Sequence, residues 1–237
     1  MSRHQELRFW VLFVALLGFL MLWPVALELS SRQLWQLAPG IVREILLLSF
    51  VLAVSNRARL AIVVLALGIG LVISRGLFEF GFGMLFDNIS HVLGLVIVLI
   101  VAVAILSEVL RAGAITLHLV VGAVCVYLML ALLWTFVYDA INTIAPGAIL
   151  VRAGSLSETA KLPVADANFV KILYFSLTTI TTLGNSDVPV TFFARQLAPI
   201  EAITGQLYLA VLIARLVGFS SSAGPSASQT GPTESKL

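Results

Sequence analysis

Charged residues are scarce in this chain. Asp, Glu, Lys and Arg make up only 11% of its 237 residues, whereas 60% are hydrophobic, and the mean hydropathy is +1.07. An average soluble domain has about 25% charged residues, so this composition excludes a soluble domain. The apolar runs are continuous rather than alternating, which favours helices over the strands of a membrane barrel. We therefore expect an all-α membrane protein embedded in a lipid bilayer.

Residues with reactive or metal-binding side chains are also few. The one cysteine, Cys125, lies in an apolar run, so no disulfide framework can form within the chain. Neither His91 nor His118 has a second ligand at a metal-like spacing. A membrane enzyme needs a polar cluster at membrane depth, and a secondary transporter needs paired broken helices in two related halves; the sequence has neither pattern. We expect no enzyme activity, no cofactor and no nucleic-acid partner.

Six apolar segments predict membrane-spanning helices. They cover residues 9–27, 40–55, 60–78, 89–107, 112–138 and 193–218. A cleaved signal peptide is a weaker interpretation of the first, because Glu28 and Arg32 stand where a cleavage site needs small residues. Basic residues at the N-terminus, in the 57–59 turn, at Arg111 and at Arg215 place both termini in the cytoplasm if there are six spans. We expect a multi-pass protein of the cell inner (plasma) membrane.

The segment between the fifth and sixth spans is the most informative part of the chain. Asn168 or Asp166 can cap a helix whose body, residues 169–180, is too short to cross a bilayer, and Pro189 stops its continuation. Both termini can be cytoplasmic only if this segment enters and leaves by the outer face. These features predict a re-entrant helix followed by irregular backbone.

The end of such a half-helix is suited to cations. Its C-terminal end brings a partial negative charge to the bilayer centre. Irregular backbone is tolerated at that depth only where protein buries it or water lines it. The carbonyl oxygens of residues 181–186 and the Thr182 hydroxyl can replace the hydration shell of an ion, and Gly184 permits a strained conformation. The residues themselves therefore favour a cation pathway.

The same residues resemble a known signature. The stretch Thr181-Thr-Leu-Gly-Asn-Ser-Asp187 resembles the potassium-channel filter Thr-Thr-Val-Gly-Tyr-Gly-Asp at five of seven positions, counting Leu183 as a conservative replacement for Val. The flanking runs 113–138 and 201–218 look like the outer and inner pore helices of bacterial ion-channel-domain proteins. The chain thus resembles the single pore-loop, voltage-gated-like cation channel superfamily over nearly half its length.

The resemblance implies a role for each matching residue. It implies a selectivity filter made of Thr181, Thr182, Leu183, Gly184, Asn185, Ser186 and Asp187. The carbonyl groups of the second to fifth of these would face the ion, with K⁺ held at Thr182, Leu183 and Gly184, and Asp187 would brace the outer filter. Gly205 sits where such channels often have a gating hinge in the inner helix. Because one pore loop cannot enclose an axis, the resemblance also implies a homotetramer.

Three further polar residues are candidates for bracing the pore helix or the inner helix. They are Thr178, Thr179 and Glu201. The two threonines have a simpler alternative, which is to bond back to carbonyl groups of their own helix. Glu201 is either a channel-facing cation attractor or a buried carboxyl group bonded to the pore helix or to a neighbouring subunit. The sequence leaves these alternatives open.

Two filter residues depart from the signature. Asn185 replaces the Tyr that packs behind the filter, and Ser186 replaces the second Gly, where positive φ costs a non-glycine residue about 1 kcal/mol. Both changes affect the outer half and leave Thr182 to Gly184 intact. We expect a potassium-permeable channel with weakened discrimination against sodium, so the permeant ions are K⁺ and some Na⁺. A non-selective cation channel and a non-conducting membrane scaffold derived from a channel are the alternatives.

The chain accordingly divides into three parts. Residues 1–111 form a four-helix N-terminal membrane domain without a voltage-sensor charge pattern, since His91 is the only titratable residue of its fourth span, so we expect no steep voltage gating. Residues 112–219 form a pore domain, and residues 220–237 form a disordered cytoplasmic tail too short for a regulatory domain. The pore domain comprises an outer helix 112–138, an extracellular loop 139–167, a pore helix 168–180, a filter 181–187 and an inner helix 193–218.

Overall fold

The computed structural model describes residues 3–30, 38–112, 116–145, 149, 164–184 and 191–222. Within these ranges the chain forms seven α-helices and no strand, in agreement with the predicted all-α class. The helices are α1 (Arg3–Ser30), α2 (Ala38–Ala53), α3 (Ala58–Glu79), α4 (Met84–Arg111), α5 (Leu117–Ile144), α6 (Val164–Ile180) and α7 (Phe192–Ser222).

Five helices of the described part are long and apolar enough to cross a membrane, so the chain is a membrane protein. They are α1, α3, α4, α5 and α7. The remaining predicted span, 40–55, corresponds to α2, which has 16 residues. At 1.5 Å per residue α2 reaches about 24 Å, less than the roughly 30 Å of a hydrocarbon core. Five of the six predicted spans are therefore supported, and the span predicted at 40–55 stays a prediction.

The first four helices pack against one another and, through α1 and α4, against α5. At the end where α1 begins, the buried Arg8 forms an ion pair with Glu108 of α4 and donates to the carbonyl oxygen of Ala53 at 3.2 Å. Arg57, in the turn between α2 and α3, donates to the Ser107 hydroxyl of α4 at 3.1 Å. Arginines that the sequence places at a membrane boundary thus also tie α1, α2 and α4 together.

The outer helix differs from its predicted bounds of 112–138 at both ends. It begins at Leu117, because the chain leaves α4 at Ala112 in an extended conformation, with φ −64° and ψ 131°. It continues to Ile144, because Tyr138 and Asp139 are buried against neighbouring helices rather than exposed in a loop. Asp139 therefore marks a buried contact and not the start of the predicted loop 139–167.

The pore-helix and inner-helix segments also extend beyond their predicted bounds. α6 begins at Val164, so Asp166 and Asn168 lie inside the helix and do not cap it. α7 contains the predicted inner helix 193–218 and runs on to Ser222, taking in the first residues of the predicted tail. Residues 223–237 of that tail lie outside the described part of the chain.

Candidate functional site

The short helix α6 ends halfway along its two long neighbours. The carbonyl oxygen of its last residue, Ile180, accepts a hydrogen bond of 3.0 Å from the Tyr127 hydroxyl of α5. On the other side lies Gly205 of α7, where a Cβ atom would come within 2.8 Å of the same oxygen. Tyr127 stands three turns before Tyr138 on α5, which corresponds to about 16 Å along the helix axis. The last residue of α6 is thus far from the end of the helix bundle at which α6 begins.

The chain enters and leaves this region at one end of the bundle, which we call the loop end. A buried cluster there joins the end of α5, the body of α6 and the start of α7; it comprises Tyr138, Ile149, Ile172, Phe175 and Ala194. The backbone N–H of Thr191, just before α7, donates to the Ile149 carbonyl oxygen at 3.1 Å. α7 therefore starts beside the place where α5 ends, and the backbone after α6 returns to the loop end.

A buried carboxyl group links the three helices near the loop end. Glu201 of α7 is completely buried, and its Oε2 atom accepts a hydrogen bond of 2.8 Å from the Tyr138 hydroxyl of α5. The Ser176 hydroxyl of α6 lies 2.5 Å from Oε1 of Glu201 and 2.8 Å from the carbonyl oxygen of Ala131, so its one hydrogen is shared between two acceptors. Of the alternatives for Glu201, the structure has the buried carboxyl group bonded to α6, and not a group facing a channel.

The four carbonyl groups at the end of α6 all have hydrogen-bond donors. The Thr181 N–H donates to the carbonyl oxygen of residue 177 at 3.3 Å, the Thr182 N–H to that of residue 179 at 3.0 Å, and the Gly184 N–H to that of residue 178 at 3.1 Å. The Tyr127 hydroxyl donates to the fourth carbonyl oxygen, that of Ile180. The Thr181 hydroxyl adds a second bond to the Leu177 oxygen at 2.6 Å. A helix normally leaves these groups unpaired. The free acceptors at this depth therefore belong to the residues after the helix.

After α6 the backbone is turned so that the carbonyl groups of Thr181 and Leu183 point away from the end of that helix. In a planar trans peptide the C=O of one residue is opposite the N–H of the next, and none of the described peptide bonds is cis. Because the N–H groups of Thr182 and Gly184 point back into α6, the carbonyl groups of Thr181 and Leu183 point away from it. Residues 181 to 184 are all exposed in the single chain.

Two residues of this segment have positive φ. Gly184 has φ +80°, which costs a glycine little. Thr182 has φ +59° and is the one non-glycine residue with positive φ in the described ranges. For a β-branched residue this is a strained conformation, of a kind that clusters at functional sites. The Thr182 hydroxyl donates to the Thr181 carbonyl oxygen at 2.7 Å, so its lone pairs remain available to a cation.

The remaining predicted site residues fall into three groups. Thr178 bonds back to the carbonyl oxygens of Tyr174 and Phe175, both at 3.0 Å, as the simpler alternative had it. Thr179 is buried and contributes its backbone oxygen to the turn described above. The outer filter residues Asn185, Ser186 and Asp187 lie outside the described part of the chain.

Below the end of α6, towards the opposite end of the bundle, α5 and α7 meet directly. The Tyr208 hydroxyl of α7 donates to the Ala123 carbonyl oxygen of α5 at 2.7 Å, and its ring stacks on Tyr127 with 6.1 Å between centroids. Further on, Arg215 donates to the carbonyl oxygen of Ala112, where α4 ends, at 3.1 Å. Below α6, contacts within the chain thus join α7 to α5 and to the end of α4.

Three residues of this site, Tyr127, Tyr138 and Ser176, were not predicted to act in it. Tyr138 is fully buried and bonded to Glu201. The signal that could have found them is the requirement that polar groups in apolar helices find partners. When each of three adjacent helices carries one hydroxyl or carboxyl group, these groups can form hydrogen bonds with one another.

The family comparison covers the part of the chain that contains this site. Residues 113–221, from the α4–α5 connection to the end of α7, match a protein-family model described as an ion channel. No curated protein and no solved structure matches the chain significantly. The match covers α5, α6 and α7 together with the turn between the last two. It supports an ion channel as the function of this part of the chain.

Proposed function

We propose that the protein is a potassium-channel-like cation channel through which ions pass passively along the backbone of residues 181–187. The observation that carries the proposal is the position of the α6 end. It lies midway along α5 and α7 and is followed by outward-pointing carbonyl groups at residues 181 and 183. Backbone carbonyl groups exposed at membrane depth need a cation or water as a partner, and the Thr181 oxygen, which already accepts from the Thr182 hydroxyl, keeps a second lone pair for such a contact.

The proposal includes fourfold assembly. In the single chain Leu183 is 78% exposed, and apolar residues along α7 such as Ile203 and Leu207 are more than half exposed. A loop that contributes carbonyl groups from one side needs copies of itself to surround an ion. Four chains around one axis would cover Leu183 and bring the carbonyl groups together. Within the part of the chain that the structure describes, no group of three or more metal-binding side chains forms an alternative cation site.

Reduced selectivity is the second component of the proposal. Thr182, Leu183 and Gly184 keep the inner half of the signature, whereas Asn185 and Ser186 replace the aromatic and the glycine of its outer half. Asn cannot pack behind the backbone as an aromatic ring does, so the outer sites are wider and discriminate less against Na⁺. The channel is not steeply voltage-dependent, because the one Arg or Lys of α4 is Arg111, at its end. The protein lies in the plasma membrane, with both termini in the cytoplasm.

Reversal potentials of purified protein in liposomes test the proposal. Under opposed K⁺ and Na⁺ gradients we expect a cation current with a preference for K⁺ below that of an intact signature. The matched variant carries Asn185→Tyr and Ser186→Gly, which restore the signature, and its permeability ratio should rise by about tenfold, equivalent to about 1.4 kcal/mol. An absence of cation current from folded tetramers would overturn the channel. A wild-type ratio equal to that of the double variant would overturn the reduced selectivity alone.

A further inference from the structure

A partly open cavity of about 100 Å³ lies at the loop end, where the first four helices meet the helices of the ion pathway. Its lining comes from all six of the helices α1 to α6. Phe19 and Trp23 of α1 form one wall, and Phe136 of α5 and Phe169 of α6 form another. Residues of α2, α3 and α4 complete it. None of the residues assigned above to the ion pathway lines this cavity, so it is a separate feature of the molecule.

Most of the lining is hydrocarbon, and its polar side chains other than the Trp23 indole already have partners. Arg75 forms an ion pair of 2.5 Å with Asp87, and Arg43 one of 3.2 Å with Glu44. His91 lies 2.7 Å from Asp139, and the Ser90 hydroxyl donates to the Asp87 carbonyl oxygen at 2.7 Å. These polar residues belong to the parts of α2, α3 and α4 nearest the loop end. The deeper part of the cavity is apolar.

These pairings decide what the cavity can hold. A water molecule inside a protein needs two to four polar partners, and apolar cavities without them stay dry. An anionic ligand would need an uncompensated cation, but Arg43 and Arg75 each face a carboxylate. Dry cavities of about 150 Å³ bind xenon or benzene, so one of this size suits a slightly smaller molecule. The chemistry therefore selects an uncharged, apolar ligand.

We propose that this cavity is a binding site for a small uncharged apolar molecule of about the size of trichloromethane. The indole N–H of Trp23 has no hydrogen-bond partner among the described residues, so a ligand with a weakly accepting atom such as a halogen has a further advantage over a plain hydrocarbon. The occupant contacts Phe169 on α6 and Phe136 on α5. The Phe169 ring also stacks on His91 of α4, with 6.0 Å between centroids.

Occupancy has a consequence that rests on the proposed channel function. A ligand between α4, α5 and α6 stabilises the arrangement in which these helices enclose it, by an amount set by its affinity for that arrangement over others. α6 ends at the proposed filter, so the cation current should change when the ligand binds. Binding itself does not depend on conduction, and the two claims can be measured apart.

Fluorescence quenching tests the site. Trp10, Trp35 and Trp134 are replaced by Phe, which leaves Trp23 in the cavity wall; the matched variant keeps Trp134, which is outside the lining, and replaces Trp23. Trichloromethane quenches indole fluorescence on contact. In detergent-solubilised protein we expect a saturable component for Trp23 and only linear quenching, from partition into the micelle, for Trp134. Equal linear quenching of both variants would overturn the proposal.

Two substitutions place the ligand in this cavity rather than elsewhere near Trp23. Val98 is buried in the lining, whereas Val64 is equally buried outside it. Val98→Leu should weaken the saturable component several-fold and Val98→Phe should abolish it, while Val64→Leu should leave it unchanged. If Val98→Phe does not fold, the comparison of the two leucine variants still decides. Saturable quenching that Val98→Leu and Val64→Leu affect equally would also contradict the site. A saturable site with an unchanged wild-type cation current in the presence of trichloromethane would refute only the effect on conduction.

Discussion

The strained backbone at Thr182 and Gly184 is the most specific feature at the scale of single residues. A threonine at φ +59° does not arise from local preference, because β-branched residues avoid this region. The turn persists because three N–H groups and the Thr181 hydroxyl hold it against the end of α6, and the Thr182 hydroxyl adds a bond to the Thr181 carbonyl oxygen within the turn. Its geometric effect is to aim the carbonyl groups of Thr181 and Leu183 outward. The strain is therefore coupled to the backbone along which we propose that ions pass.

Substitution of Gly184 tests this coupling. Alanine at a positive φ costs about 1–2 kcal/mol wherever it occurs. Gly81, in the connection between α3 and α4, provides a matched control, since its φ is +86° and both glycines have open space around them. We expect Gly184→Ala and Gly81→Ala to lose similar stability, but only Gly184→Ala to lower cation flux into liposomes, by about tenfold or more. Undiminished flux in Gly184→Ala would mean that ions do not pass along this backbone.

The buried pair Glu201 and Tyr138 can be tested by a double-mutant cycle. Glu201→Ala leaves the Tyr138 hydroxyl buried without its acceptor, at a cost of about 1–3 kcal/mol in addition to the lost packing. Tyr138→Phe removes that hydroxyl. The double variant should therefore be less destabilised than the sum of the single variants, by about 1–2 kcal/mol. Thermal unfolding in detergent measures the difference. Strictly additive losses would show that the two residues do not share an interaction.

The sequence alone could predict some residues of the candidate site and not others. A polar residue within an apolar helix is expected to have a hydrogen-bond partner, and for this reason the sequence could identify Glu201 as a candidate. The identity of the partner depends on helix rotation and depth, and these are fixed only by packing; Ser176 and Tyr138 were accordingly missed. The positive φ of Thr182 could not have been predicted either, because it follows from the N–H groups that turn back into α6 and not from a preference of threonine.

At the scale of elements, the close approach of α6 to α7 depends on Gly205. A Cβ atom there would lie 2.6 Å from Cγ1 of Ile180 and 2.8 Å from its carbonyl oxygen, and the backbone oxygen cannot move without displacing the end of α6. The resemblance to ion channels implies a gating hinge at this position. Close packing is a second, independent reason for a glycine here, and the two reasons have different consequences for substitution.

Gly205→Ala distinguishes these roles, with Gly68→Ala as its control. Gly68 lies within α3 with nothing near its missing side chain, so alanine there should be neutral or stabilise by up to about 1 kcal/mol. At Gly205 we expect alanine to lower both the thermal stability and the cation flux, because it pushes the end of α6 away. A purely hinge-like role predicts unchanged or higher stability with altered channel opening only. Unfolding curves and liposome flux on both variants decide between them.

Helix existence was easier to predict than helix ends. Continuous apolar runs indicate helices in a membrane protein, and seven of them occur where expected. The ends differ because polar residues near a helix end do not reveal whether they face solvent or a buried partner. Asp139, which contacts His91 of α4, looks like the first residue of a loop in the sequence but lies within α5.

At the scale of the whole molecule, α7 is the least buried of the five described spans, and residues 181 to 184 are exposed in the single chain. Both observations fit the proposed fourfold assembly, which the sequence implies through its resemblance to channels that assemble around such an axis. The sequence could not predict the contacts that join the first four helices to the ion pathway, such as the stacking of His91 on Phe169, since these link residues far apart in the chain.

The most direct test of the account is a structure of the assembled protein determined in potassium chloride. We predict four chains around one axis, with ordered ion density on that axis beside Thr182, Leu183 and Gly184, and weaker or absent density beside Asn185. The carbonyl groups of residues 181 and 183 should face the axis. An assembly in which this backbone does not meet at an axis, or an axis without ion density beside Thr182 and Leu183, would contradict the proposed cation pathway.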